Sequence, residues 1–297
     1  METQQAHSLG GTRFRASGDS PRRVPPLLWL NLVCLDAPFV AVAWLWLFAR
    51  TFRIPLQVGN CVALFLTAWL IYLADRFADC TSLRPDLPRS LRQEFCLRHR
   101  EIWIATILLV GGFDAYVIWR TTTLETFLIG AVVGGLALIY LVINHPLGLI
   151  WRSLPAKELA VGILFSAGTL VALLPALHSA TIGFAITAIF FAALCALNCI
   201  SIAHWEYGLD RAQGKVSIAT RHPRIARSSG LIALVLGVAS FVTATISRSA
   251  APLLACIGVS AFLLAWLNAR LVDVDRRTAL ADLVLLTPIV PLIAATL

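Results

Sequence analysis

Long apolar runs separated by short basic segments constrain this 297-residue chain more than any other feature. A helix needs about 20 mainly apolar residues to cross a bilayer. Hydrophobic residues make up 59% of the chain and charged residues only 13%, so a water-soluble globule would expose large apolar patches. The sequence therefore predicts an all-α, polytopic membrane protein with nine transmembrane helices. The windows that meet or nearly meet the required length are 27–49, 56–78, 102–119, 123–143, 158–177, 181–203, 229–247, 251–271 and 279–296.

The basic residues predict how these helices are oriented. With the N-terminus in the cytoplasm, 20 of the 24 lysines and arginines fall in cytoplasmic segments, as the positive-inside rule requires. We therefore expect a multi-pass protein of the cell (inner) membrane, N-in and C-out, in contact with membrane lipid. The net charge of +8 is spread between apolar runs, which argues against nucleic acid as a partner.

The chain is expected to contain one folded domain. Residues 1–25 are polar and lack the apolar stretch of a signal peptide, so they predict a disordered cytoplasmic tail. Residues 26–297 then form a single transmembrane helical domain. The segments between the predicted spans are too short for a soluble domain of any size.

Two pairs of acidic residues close the second and sixth predicted spans. Asp75 and Asp79 end one span and Glu206 and Asp210 the other, and the four-residue spacing puts each pair on one helix face. Like charges at this spacing repel, and carboxylates are costly near the hydrocarbon boundary. Mg²⁺ removes both costs, since it binds one or two carboxylates together with substrate phosphate oxygens. The pairs predict a cytoplasmic site for Mg²⁺ and a diphosphate; the alternative is that they are solvated helix ends.

The second pair opens an ordered string in which Gly214 and Lys215 follow the acids. A glycine and an ammonium group allow backbone and positive charge to approach an anion. With both acid pairs, this string resembles the motifs of the UbiA superfamily of intramembrane prenyltransferases, N/D-x3-D-x3-D after span two and D-x3-D after span six. The nine-span topology is similar too. The matching residues are Asp75, Asp79, Glu206, Asp210, Gly214, Lys215, Ser217 and Ala219.

The resemblance implies a helical bundle around a central cavity, with Mg²⁺ held by the four acids. It implies a prenyl diphosphate donor and transfer of the prenyl group to a hydrophobic, often aromatic, acceptor. Three positions depart from the family pattern: Ile71 replaces Asn or Asp, Glu206 replaces Asp, and Asn144 stands where many members have Lys after Tyr140. Lys157 is the candidate replacement for that lysine. The predicted diphosphate-binding residues are Arg76, Lys157, Arg211 and Lys215.

Two polar residues inside predicted spans are candidates for the acceptor region of the cavity, together with Tyr140 and Asn144. Asp36, followed by Pro38, is an intramembrane carboxylate, and such groups are commonly functional. It either orients the acceptor or handles a proton, or it makes a hydrogen-bonded helix–helix contact. Asn198, two turns before Glu206, either lines the same cavity or joins helices.

Two other functions fit the same pattern of spans and acids. A transporter or lipid-binding membrane protein would use the cavity without chemical change, although the acids gather at one end of the spans instead of along a path. A non-catalytic homologue would bind the donor without turning it over, which the departures at Ile71 and Asn144 favour.

Overall fold

The computed structural model describes residues 25–84, 86–144, 157–177, 182–270 and 273–294, and this part of the chain is helical with no strand. The predicted tail over residues 1–25 lies outside the described residues except for its last position. The helices are α1 (Pro26–Leu32), α2 (Asp36–Thr51), α3 (Val58–Thr81), α4 (Leu91–Arg98), α5 (Arg100–Thr121), α6 (Leu124–Asn144), α7 (Lys157–Leu170), α8 (Ile182–Trp205), α9 (Tyr207–Gln213), α10 (Ile218–Arg221), α11 (Pro223–Arg227), α12 (Ser229–Ile246), α13 (Ala251–Ala269), α14 (Val274–Leu283) and α15 (Ile289–Ala294).

Seven helices in the described residues are long and apolar enough to cross a membrane. They correspond to the second to eighth predicted windows, so a multi-pass membrane protein is confirmed in outline. Their outer faces carry large apolar side chains, such as Trp119 and Leu109 on α5 and Leu231 on α12. Exposed apolar faces on this scale suit a lipid solvent. The seven helices are Val58–Thr81, Arg100–Thr121, Leu124–Asn144, Lys157–Ala176, Ile182–Trp205, Ser229–Ile246 and Arg248–Ala269. Lys157–Ala176 includes a 3₁₀ segment after α7, and Arg248–Ala269 includes a 3₁₀ turn before α13.

The first predicted window, 27–49, is not one continuous helix. It is divided into α1 and α2 by residues 33–35, where Cys34 has a φ of 58°. That left-handed conformation is rare for a residue with a side chain and interrupts the helical hydrogen bonding. A new helix starts at Asp36, whose carboxylate suits the positive end of a helix, and Pro38 is tolerated in that first turn.

The ninth predicted window, 279–296, is also divided. Here α14 ends at Leu283 and α15 begins at Ile289, and Pro288 between them disfavours helix in the residue before it. The interruption leaves backbone carbonyls that need partners inside a membrane protein. The indole Nε1 of Trp44 donates to the carbonyl of Leu285 at 2.8 Å. In the described residues, seven helices are thus continuous over the length of a span. Two further helical segments are interrupted and pack against each other, α1 and α2 against α14.

The main apolar core lies where α2, α8 and α13 meet. Trp44 and Phe191 stack there with ring centroids 4.6 Å apart, and Ile257 is fully buried beside them. A close approach joins α7 to α8: a Cβ added to Gly162 would lie 2.5 Å from the backbone nitrogen of Ala196. Small residues at such crossings let membrane helices pack backbone to backbone. These contacts fix the walls of the cavity described next.

Candidate binding cavity

A cavity of about 560 Å³ runs between α3, α6 and α7, with α5 and α8 completing its wall. On α3 its lining follows one helix face. Asn60 and Asp79 mark the two ends of that face, and 19 residues of helix separate them, about 28 Å at ~1.5 Å per residue. The cavity is therefore close to the ~30 Å thickness of a hydrocarbon core in length. The α3 residues that line it are Asn60, Ala63, Leu64, Thr67, Ala68, Ile71, Tyr72, Asp75 and Asp79.

The four predicted acids meet at one end of this cavity, which we call the acidic end: Asp75, Asp79, Glu206 and Asp210. The first pair lies on one face because α3 continues to Thr81. The second pair straddles a helix break, because α8 ends at Trp205 and α9 begins at Tyr207. The backbone N–H of Asp210 nevertheless donates to the carbonyl of Glu206 at 2.9 Å, as in a continuous helix. Residues more than 120 positions apart in the chain thus share one opening.

Arg92 makes the strongest contact at the acidic end. Its Nη2 lies 2.6 Å from both carboxylate oxygens of Glu206, and the two side chains are only 17% and 10% exposed. Such a charge-assisted contact in a partly dry site is far stronger than a surface ion pair. Arg92 was not among the predicted residues. Its helix α4 has only eight residues, half of them polar, so nothing in the sequence indicated that it packs over the cavity.

Lys215 also reaches the acidic end, as its place after Gly214 suggested. Its Nζ lies 3.3 Å from Oδ2 of Asp79. Gly214 ends α9 with a φ of 69°, which glycine adopts without strain, and the chain turns back so that the Lys215 N–H donates to the Asp210 carbonyl at 2.8 Å. Gly214 therefore aims Lys215 into the cavity.

Lys157, the candidate for the missing lysine, lies on the cavity wall at the start of α7. The acids that interact with it most strongly are Asp79 and Asp75. Its neighbour Glu158 accepts a hydrogen bond from the backbone N–H of Ile218 at 2.9 Å, which ties the segment after Lys215 to α7. The two lysines therefore lie around the first acid pair.

The environment of Asp210 raises its pKa to about 6. Burial is the largest cause, because the charged form loses its water, and the charge of Glu206 adds to it. Lys215 and Lys157 act in the opposite direction. Asp210 therefore takes up a proton nearer to neutral pH than an ordinary aspartate does.

Several predicted residues lie outside the cavity lining. Arg76 follows Asp75 on α3 but does not line the cavity, and it interacts electrostatically with Asp36 and Glu206. Arg211 is exposed and donates to the Tyr207 hydroxyl at 3.1 Å. Asn144, the last residue of α6, is not part of the lining, whereas Tyr140, one turn earlier, is. Arg76, Arg211 and Asn144 are therefore not among the residues that line the cavity, and their predicted roles stay predictions.

Asp36 and Asn198 belong to a buried polar cluster instead of the predicted acceptor region. Asn31 donates to Oδ2 of Asp36 at 2.7 Å, and Asn198 donates to Oδ1 of Asp282 at 2.8 Å. Asn31 also lies 3.5 Å from Oδ2 of Asp282, which links the two halves. The cluster joins α1, α2, α8 and α14, so these polar groups hold helices together where the first and ninth windows are interrupted.

Asp114 is the intramembrane acid that does line the cavity. It lies about two-thirds of the way along α5, is 4% exposed, and accepts a hydrogen bond from Oγ1 of Thr67 at 2.7 Å. The sequence analysis did not single it out as a site residue. The available signal was that it is the one charged residue between Glu101 and Arg120.

The Mg²⁺ site at the acidic end stays a prediction. Among the described residues, no three histidine, cysteine, aspartate or glutamate side chains form a group that could hold a metal ion. Both oxygens of Glu206 are engaged by Arg92. Carboxylates are nonetheless the ligand type that Mg²⁺ prefers, and Asp75, Asp79 and Asp210 remain on the cavity wall. These carboxylates suit Mg²⁺ when phosphate oxygens supply the remaining ligands.

Comparisons of the chain with protein-family models, with curated proteins and with solved structures found no match.

Proposed function

We propose that this protein is an intramembrane prenyltransferase, which transfers a prenyl group from a prenyl diphosphate to a hydrophobic, aromatic or lipid-like acceptor with the help of Mg²⁺. One observation carries the proposal: two distant acid pairs meet at one end of a long cavity whose remaining wall is mainly apolar. A prenyl diphosphate has the same division, with a polyanionic head and a hydrocarbon tail. The acidic end would take the head and the apolar length the tail.

The charge balance at the acidic end supports a role for a divalent cation. Five acids and three bases line it, so its formal charge is two negative. A diphosphate alone would be repelled by that charge. Two Mg²⁺ ions would remove the repulsion, and they would stabilise the negative charge that develops on the departing diphosphate. The acids are Asp75, Asp79, Glu158, Glu206 and Asp210, and the bases are Arg92, Lys157 and Lys215.

The chain's own residues then have distinct tasks. Asp75, Asp79 and Asp210 would hold the metal, and Glu206 would join them only after releasing Arg92. Lys157 and Lys215 would stabilise the diphosphate as the allylic C–O bond breaks and its electron pair leaves with oxygen. The acceptor would form the new bond to the allylic carbon and lose a proton.

The aromatic wall next to the acidic end suits a positively charged allylic group. Tyr72, Tyr140 and Phe165 line the cavity there, and the rings of Tyr72 and Phe165 lie 6.4 Å apart, edge to face. Aromatic faces attract cations, and the apolar wall beyond them excludes water that would otherwise capture the prenyl group.

The topology belongs to the same proposal. We propose nine crossings, with α1 plus α2 and α14 plus α15 as two interrupted ones, N-in and C-out in the cell (inner) membrane. The positive-inside bias of the sequence then puts the acidic end on the cytoplasmic side. Interrupted helices are tolerated at membrane depth where protein buries the break, as it does around Asp36 and Asp282.

Incubation of the purified protein with radiolabelled prenyl diphosphates, Mg²⁺ and a panel of acceptors tests the proposal. We expect Asp75→Asn and Asp210→Asn to reduce donor consumption at least 100-fold, because each removes a carboxylate from the proposed metal site. Asp86→Asn is the matched control, since Asp86 is 64% exposed in the loop after α3. The proposal fails if no donor is bound or consumed by the wild-type protein, or if the three variants behave alike.

Two observations favour the other functions. The cavity extends over about the length of a hydrocarbon core, which suits a transporter or a lipid-binding protein. Flux across proteoliposomes without chemical change would identify it. A non-catalytic homologue is favoured by the contact of Arg92 Nη2 with both oxygens of Glu206. It is also favoured by Ile71, which lies on the cavity wall where the UbiA pattern has Asn or Asp. Mg²⁺-dependent donor binding without turnover would identify that case.

A further inference from the structure

The cavity holds a second polar group far from its acidic end. Asp114 is the 15th of the 22 residues of α5, so it lies well inside a helix that is long and apolar enough to cross a membrane. It is 4% exposed and lines the cavity. A carboxyl group at that depth is costly unless both of its oxygens are engaged.

Only one oxygen of Asp114 has a partner in the described part of the chain. Oδ2 accepts the hydroxyl hydrogen bond of Thr67, whereas Oδ1 is buried without a hydrogen bond. Asp36 differs, because Asn31 engages its Oδ2 and its Oδ1 accepts from the backbone N–H of Ala37 at 2.9 Å. Glu206 differs as well, with both of its oxygens on Arg92. Asp114 is therefore not satisfied by the protein in the way that these acids are.

We infer that Asp114 and Thr67 form a subsite that binds the hydroxyl group of an otherwise apolar ligand. The basic residues described on the cavity wall, Arg92, Lys157 and Lys215, all lie at the acidic end, so none of them neutralises Asp114. A hydroxyl group is the suitable partner, since it donates to a bare carboxylate oxygen and accepts from a protonated one. The neighbouring wall, including Leu64 and Ile118, is apolar and fits a hydrocarbon or aromatic body.

The position of the subsite limits the size of that ligand. Thr67 precedes Asp75 by eight residues on α3, about 12 Å along the helix at ~1.5 Å per residue. A ligand anchored at Asp114 therefore has about that much room before it meets the acidic end. The binding inference does not require that the ligand react. Identifying the ligand with the acceptor rests on the proposed function.

The experiment compares two probes that differ in one hydrogen-bond donor, 4-hexylphenol and its methyl ether, 4-hexylanisole. Binding is measured by calorimetry on the full-length protein in detergent, with empty micelles as the blank. We expect the wild-type protein to bind the phenol about 10-fold more tightly or better, because the ether leaves Oδ1 without a partner. Since every variant is measured at the same detergent concentration, partitioning into micelles affects all of them equally.

Variants assign this selectivity to Asp114. We expect Asp114→Leu to bring the phenol-to-anisole ratio close to one and Asp114→Asn to keep part of it, because asparagine retains an acceptor oxygen. Thr67→Val should lower the ratio too, if the pair acts as a unit. Thr187→Val is the matched control: Thr187 is buried, lies outside the cavity lining and bonds to the carbonyl of Gly183 in its own helix.

Three outcomes would overturn the inference. The first is an equal affinity of the wild-type protein for the two probes. The second is a ratio that stays unchanged in Asp114→Leu or, where that variant does not fold, in Thr67→Val. The third is tighter binding of 4-hexylbenzylammonium than of the phenol, which would make Asp114 a cation site. Loss of prenyl diphosphate binding with the phenol selectivity intact would count against the proposed function alone.

Discussion

The contact between Arg92 and Glu206 gives the sharpest test of the acidic end. Substitution of Arg92 by glutamine removes the only cation within hydrogen-bond distance of Glu206 in the described residues, and leaves a carboxylate that is 10% exposed. Removing one partner of a buried pair costs about 3–5 kcal/mol. The side chain of Arg92 is 17% exposed at an opening, so we take the low end, about 3 kcal/mol.

The assay is thermal unfolding of the purified protein in detergent without divalent cations. A loss of about 3 kcal/mol corresponds to a fall of roughly 6–10 °C in the melting temperature. Arg84→Gln is the matched control, because Arg84 pairs with Asp86 at 3.5 Å while both side chains are more than 60% exposed. That exposed pair should be worth ~0–1 kcal/mol, so the control should melt within about 2 °C of wild type.

Two further measurements separate charge from packing. The double variant Arg92→Gln, Glu206→Gln should recover most of the lost stability, because the unpaired charge is gone. Mg²⁺ should raise the melting temperature of Arg92→Gln more than that of wild type, because Glu206 becomes free to bind the ion. The reasoning is refuted if Arg92→Gln and Arg84→Gln melt at the same temperature.

Two other predictions concern the pH response and the helix packing. The pKa of Asp210 is raised from 3.8 to about 6, so its contribution to stability is present below pH 3.8 and is lost as the pH rises through 6. Without divalent cations, melting temperatures from pH 4 to 7 should therefore fall more steeply for wild type than for Asp210→Asn, and parallel curves would contradict this. Gly162→Ala should lower the melting temperature by several degrees, because its Cβ would clash with Ala196, whereas Gly135→Ala, with nothing within 4 Å, should not. Equal melting temperatures of the two glycine variants would rule out the close crossing.

The sequence predicted the continuous spans well and the interrupted ones poorly. A window of apolar residues reports how long a segment is, and seven windows did form helices long enough to cross a membrane. It does not report where such a segment breaks. The break at 33–35 depends on a left-handed Cys34, and a cysteine gives no sign of that conformation in a sequence. Pro288 did mark the second break, since proline acts on the backbone directly.

The acids of the site were predictable and their partners were not. The spacing of Asp75 and Asp79 is a local property of one helix, so it could be seen in the sequence. Whether Arg92 reaches Glu206 depends on how α4 packs over the cavity, which is a tertiary property. Asp36 and Asp114 show the same limit: each is an acid in an apolar window, and the sequence does not indicate which one faces the cavity.

The contacts at the acidic end imply that a metal-bound diphosphate cannot simply be added to this arrangement. Arg92 occupies both oxygens of Glu206 and Lys215 lies on Asp79, so an incoming cation competes with these side chains. If the proposed function is right, binding of Mg²⁺ and diphosphate therefore exchanges one set of ion pairs for another. The released Arg92 side chain would then be free to bind the diphosphate.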